Sequence, residues 1–132
     1  MLLVRPQTFM NRSGYAVECL IDLYSIPLER LLIVYDDVAL PLGKLRLRPS
    51  GSPGGHRGVE SIVHRLQSQE FPRLRLGIGP PPEPPVDLAE FVLAPFLPDE
   101  AVAVDELLGR AVEAVEAWRD EGIEAAMNRC ND

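Results

Sequence analysis

A chain of 132 residues is the size of one domain, and 46% hydrophobic with 25% charged residues is an ordinary globular balance that argues against disorder despite 13 prolines. No apolar run approaches the roughly 18 residues of a membrane span, and the start Met1–Pro6 has no charged leader and cleavage site, so a cytoplasmic protein is expected. The net charge of −7 counts against a general nucleic-acid binder, because phosphate contacts depend on Lys and Arg.

In chain order, Leu2-Leu3-Val4 is a short apolar run closed by Pro6, which predicts a strand. From Ser13, a predicted N-cap, Ala16, Val17, Leu20, Ile21 and Tyr24 recur at helical spacing until Pro27. Leu31–Tyr35 is a continuous apolar run, as expected of a parallel strand covered on both faces, and it places Asp36 and Asp37 at the strand's carboxyl end. Lys44–Arg48 alternates strictly, giving a half-exposed strand with one apolar and one cationic face. After the glycine-rich turn Gly51–Gly58, Val59, Ile62, Val63 and Leu66 mark a second helix, and Leu74–Ile78 another strand.

Pro80–Pro85 reads as a stiff, proline-dense loop and Ala89–Leu93 as a short ambiguous element. Ala101, Val104, Leu108, Ala111, Val115 and Trp118 then lay an apolar stripe along a final helix. Strands alternating with helices predict an α/β fold: one three-layer domain over residues 1–132, with a mixed, mostly parallel twisted sheet flanked by helices.

Cys19, on the apolar side of its helix, and Cys130, in a terminal tail, read as free thiols. No cluster has zinc, EF-hand or P-loop spacing, so neither metal nor cofactor is expected. Charge is unevenly spread: from Lys44 to Arg75, Lys44, Arg46, Arg48, Arg57, Arg65, Arg73 and Arg75 face only Glu60 and Glu70. This middle third reads either as a basic island for an anionic partner or as a solvated strand edge.

Ligands of α/β sheets bind beyond the carboxyl ends of strands, where Asp36 is expected to stand and where an aspartate can orient a histidine during general-base catalysis. An aspartate at a strand end is more often a turn former, and Asp37 is the alternative solvent-facing residue. Gly54-Gly55-His56-Arg57-Gly58 opens a helix where backbone N–H groups can approach an anion, and there His56 is either a helix cap or a site residue. His64 lies off the apolar stripe and reads as a surface residue. Asn11 can cap a helix or offer donor and acceptor to a substrate, and Phe9 can be core or a stacking face for a base.

Taken together, Thr-Phe-Met-Asn-x-Ser-Gly at Thr8–Gly14, the Asp36-Asp37 segment with Leu40-Pro41, Gly-Gly-His-x-Gly at Gly54–Gly58 and Arg-Leu-Arg-Leu-Gly-Ile-Gly-x-Pro from Arg73 resemble the bacterial-type peptidyl-tRNA hydrolases. That resemblance implies cleavage of the ester joining a peptide to the 3′ ribose of tRNA, by a metal-free cytoplasmic monomer whose partner is peptidyl-tRNA. It implies that Asp36 stabilises the general-base histidine and that Phe9 and Asn11 contact the substrate near its peptide and 3′ end. Met10 would line the cleft, His56 and Arg57 would face tRNA, and Ala89–Phe96 would form a lid.

Two departures from the family pattern stand out. Arg57 replaces a substrate-binding asparagine, keeping a phosphate contact but losing the paired donor and acceptor. The family's leading strand, with its Asn-Pro-Gly turn and the Arg-His-Asn stretch bearing the base, has no counterpart before Met1, so the chain reads as truncated, marginally stable and nearly inactive. A non-catalytic RNA-binding protein on the same fold, similar to chloroplast intron-splicing factors, is the alternative.

Overall fold

The computed structural model describes residues 1–81 and 87–132. These form two compact units, Met1–Ile33 with Pro49–Pro72 and Val34–Arg48 with Arg73–Asp132.

In the first unit, helix α1 (Ser13–Tyr24) packs on helix α2 (Arg57–Leu66). A 3-10 turn at Met10–Arg12 runs directly into α1, so Ser13 is the first helical residue and not the predicted N-cap; its Oγ donates to the Met10 carbonyl at 2.8 Å. The helix ends at Ser25, left-handed at φ 52°, whose N–H donates to Ile21 O. Along α2, Val59 and Ile62 are buried. The two helices approach so closely that a Cβ on Gly14 would lie 2.3 Å from the Ser61 carbonyl oxygen. Leu2-Leu3-Val4 does not form the predicted strand: it has no regular structure, Leu3 is 78% exposed, and it pairs with no described strand. A strand exists only through a partner's ladder, so an apolar triplet does not make one by itself.

The second unit is built on a sheet of β1 (Ile33–Pro41), β2 (Leu45–Arg48) and β3 (Arg73–Gly79) in the order β1-β3-β2 among the described residues. Bonds from Ile33 N to Pro72 O (3.1 Å) and from Leu42 N to Gly79 O (2.7 Å) bracket a β1–β3 pairing that runs in one direction, hence parallel. β2 and β3 are antiparallel, with Leu45 opposite Leu76, Arg46 opposite Arg75, Leu47 opposite Leu74 and Arg48 opposite Arg73. The sheet is therefore mixed, as expected, and the alternation of Lys44–Arg48 sorts as predicted: Leu45, Leu47 and Leu74 are fully buried. β1 is less covered than its apolar run suggests, since Val34 is exposed.

Helices α4 (Ala101–Glu121) and α5 (Ile123–Cys130) pack on β2, and α4 also on β3. The buried line of α4 is Leu107, Ala111, Ala114 and Ala117, while Leu108 of the predicted stripe is exposed. Alanines admit the helix close to its neighbours: Ala111 belongs to both lines, while Leu107, Ala114 and Ala117 are buried one position before Leu108, Val115 and Trp118 of the expected stripe. Cys130 is the last residue of α5 and not part of a tail, and Cys19 on α1 is exposed, contrary to the apolar side expected for it. Helix α3 (Leu88–Leu93) starts at Asp87, whose carboxylate accepts the Ala89 N–H. Most of the predicted proline-dense loop, residues 82–85, lies outside the described residues.

Beyond α5, Asn131 and Asp132 lie along β2. Asn131 Oδ1 accepts the Leu47 N–H, its Nδ2 donates to Leu47 O at 3.0 Å, and Asp132 Oδ2 accepts the Leu45 N–H at 2.9 Å. Arg110 of α4 holds the pair in place, donating to Asp132 Oδ1 at 2.6 Å and to the Gly43 carbonyl at 3.1 Å.

Among the described residues no helix is long and apolar enough to cross a membrane, and no group of three His, Cys, Asp or Glu side chains is arranged to hold a metal ion.

Candidate active site

The first unit brings several of the predicted site residues to one place. The Phe9 carbonyl accepts the Arg12 N–H at 2.9 Å and closes the 3-10 turn, leaving the Phe9 side chain 82% exposed. Asn11 is exposed on the same turn, and its carboxamide makes no hydrogen bond to another described residue. Met10 and His56 meet over Gly58, where a Cβ would fall 2.6 Å from Met10 Sδ and 3.0 Å from His56 Cε1. Gly58 thus keeps open the space those two side chains share. His56 caps α2: its Nδ1 accepts the Val59 N–H at 3.2 Å, a role that requires Nδ1 to be unprotonated. Arg57, the next residue, is exposed at the first position of α2, and His64 is exposed on the same helix, as expected.

The second unit holds the acidic pair, and here the prediction needs correcting. Asp36 and Asp37 lie inside β1 and not at its carboxyl end, because pairing with β3 continues as far as Pro41. Two glycines of β3 permit that continuation. A Cβ on Gly77 would lie 2.1 Å from Pro41 O, and one on Gly79 would lie 1.9 Å from Val38 O.

Alternation along β1 sends the two carboxylates to opposite faces. Asp37 is not the solvent-facing one: its Oδ2 accepts from Arg75 Nε at 2.7 Å and its Oδ1 from the Ala39 N–H at 2.8 Å. Asp36 is half-buried on the other face.

Much of the basic island is committed within the protein. Arg73 is 1% exposed and hydrogen-bonds the phenol of Tyr35, whose pKa rises above its ordinary 10.0 because burial outweighs the pull of that guanidinium. Arg75 pairs with Asp37, and Arg65 donates to Glu18 at 2.8 Å while stacking 3.9 Å from the centroid of the Tyr15 ring. Lys44 and Arg57 are exposed. Counting cations along the sequence overstates the charge that reaches solvent.

These local arrangements coincide with a family match along the whole chain: a family described as peptidyl-tRNA hydrolase matches residues 1–132. The chain belongs to the peptidyl-tRNA hydrolase family. It is 52% identical over 131 residues to a peptidyl-tRNA hydrolase of Chloroflexus aurantiacus, covering 98% of this chain and 69% of that one. It is 50% identical over 129 residues to one from a Synechococcus strain, of which it covers 57%. Among solved structures, the crystal structure of peptidyl-tRNA hydrolase from Acinetobacter baumannii superposes with a TM-score of 0.85 at 33% identity, over 96% of this chain and 63% of that chain. The chain therefore spans less than two thirds of the length of this solved relative.

Reasoning from sequence passed over Ser61, and gave Gly14 and Gly58 no packing role beyond their places in the Thr8–Gly14 and Gly54–Gly58 motifs, although all three shape this part of the first unit. The available signal was weak: two small residues and a serine at positions on facing helices, with no charge or ring to mark them.

Proposed function

We propose that this member of the peptidyl-tRNA hydrolase family acts on peptidyl-tRNA, hydrolysing the ester between the peptide and the 3′ ribose so that tRNA returns to translation. The observation that carries this reading is the turn Phe9–Asn11. It displays an aromatic ring and an unengaged carboxamide on a backbone fixed by the Phe9–Arg12 and Ser13–Met10 hydrogen bonds. A ring and a two-way hydrogen-bonding group suit an unstacked 3′ end and its peptide, which offer faces for stacking and both donors and acceptors.

In this reading Phe9 and Asn11 contact the substrate, Met10 lines the cleft, and His56 and Arg57 face the tRNA backbone, Arg57 offering charge where a carboxamide is the family's usual choice. Asp36 stabilises the general-base histidine as it takes a proton from the attacking water. In this reading neither His56, which caps α2, nor His64, exposed on that helix, is taken as that base. The protein works as a cytoplasmic monomer without a metal.

The test is release of free tRNA from peptidyl-tRNA by the protein at its natural length. Turnover is expected, and Asp36→Asn is expected to lower kcat by roughly 100-fold with little change in KM. Tight binding with no release would instead support a non-catalytic RNA-binding protein.

A further inference from the structure

We propose that Ser61 is a positioning residue that holds the substrate-facing turn Met10–Asn11 in register with the His56 end of α2; the inference rests on the functional reading above. Gly14 is the second residue of α1, so its N–H belongs to the first turn, where donors lack an ordinary helical acceptor. The carbonyl four residues earlier, Met10 O, is already occupied by both the Ser13 N–H and the Ser13 hydroxyl. Gly14 is buried, so this donor needs a partner inside the protein. The Ser61 hydroxyl supplies it, accepting the Gly14 N–H at 2.9 Å.

The location of the bond is what gives it a functional reach. Three residues before Gly14 stands Asn11, and five residues before Ser61 stands His56, so one directional contact ties the two substrate-facing segments together. Packing at Gly14 brings the helices close, but contact between smooth backbone surfaces does not by itself fix how far one helix slides along the other. A hydrogen bond with a defined donor and acceptor does. One turn further along α2, Arg65 reaches Tyr15 and Glu18 of α1, supporting the crossing away from the site. A slip at this end would move Met10 off the space above Gly58 and turn Asn11 with it.

The experiment uses the natural-length protein and compares Ser61→Ala, which removes the acceptor, with Ser61→Thr, which keeps it. Amide hydrogen exchange reads the bond directly: Gly14 is expected to be protected in the wild type and in Ser61→Thr, and to exchange at least ~10-fold faster in Ser61→Ala. Affinity is then measured for peptidyl-tRNA and for uncharged tRNA. Ser61→Ala is expected to bind peptidyl-tRNA ~5–10-fold more weakly while changing uncharged tRNA less than ~2-fold, and Ser61→Thr to restore the difference.

An equal loss for both tRNAs, an unchanged affinity for peptidyl-tRNA, or a Gly14 amide indifferent to the substitution would each overturn the assignment. A wild-type protein that binds the two tRNAs equally would overturn the functional reading, and the positioning role with it. If Ser61→Ala does not fold, Ser61→Cys, close in size but a weaker acceptor, is expected to show the same selective loss in smaller measure, and an unselective loss there overturns the proposal.

Discussion

Both units bring backbones unusually close at glycine, but they use the closeness differently. In the first, Gly14 lets two helices meet backbone to backbone, and Gly58 leaves the small space that Met10 and His56 share near exposed Phe9 and Asn11. In the second, Gly77 and Gly79 let β1 run past Asp36 and Asp37 in unbroken register with β3. A side chain added in the sheet would meet main-chain oxygen, which cannot step aside, whereas one added at Gly58 would meet the end of a methionine, which can. The sheet glycines therefore serve the fold, and Gly58 serves the shape of a binding surface.

That contrast is open to direct attack. Gly79→Ala should have the largest effect, separating β1 from β3 at a cost of about 3 kcal/mol or more, read from chemical unfolding. Gly58→Ala should cost under about 1 kcal/mol in stability yet weaken peptidyl-tRNA binding about 10-fold, equivalent to about 1.4 kcal/mol. If Gly58→Ala instead unfolded the protein and left the affinity of the surviving fraction intact, the division of labour would be wrong. Asp37→Asn should cost about 1 kcal/mol, because it weakens a partly buried ion pair without leaving Arg75 wholly unpartnered.

The smallest expected effect is one of pH. Burial tends to raise the Asp132 carboxyl, but the Leu45 N–H and Arg110 outweigh it and hold the group below its ordinary 3.8. A carboxyl depressed in the folded state stabilises above its unfolded value, and that contribution disappears as pH falls through the folded one. The wild type should therefore exceed Asp132→Asn in urea midpoint at about pH 6, and the gap should narrow as the pH is taken below the ordinary 3.8. A gap that widened in acid would contradict the assigned direction.

The sequence was a good guide wherever one residue pattern had one physical meaning. Alternation at Leu45–Arg48 could only place leucines on one face and arginines on the other, and the α2 stripe from Val59 to Leu66 matched a helix of that extent. It misled where the outcome depended on a partner. Leu2-Leu3-Val4 carries strand-forming residues but has no described ladder, and the end of β1 was set by glycines nearly forty residues further on. The candidate site divides similarly: residue chemistry marked Phe9, Asn11, Asp36 and His56 as candidates and the family resemblance gave them roles, whereas Ser61 carries no signature until the helix crossing is seen. Charge behaved like strand length, since Arg65, Arg73 and Arg75 counted as available cations until Glu18, Tyr35 and Asp37 were found beside them.

The way β2 is finished has a consequence of its own. Its outer backbone groups would ordinarily invite a further strand, from this molecule or from a neighbour. The Asn131 carboxamide presents to Leu47 the same C=O and N–H that a peptide unit would, and the Asp132 carboxylate answers Leu45 next to it. Two side chains thus impersonate a stretch of main chain, and an oligomer grown by adding strands at this rim would first have to prise them away from Arg110.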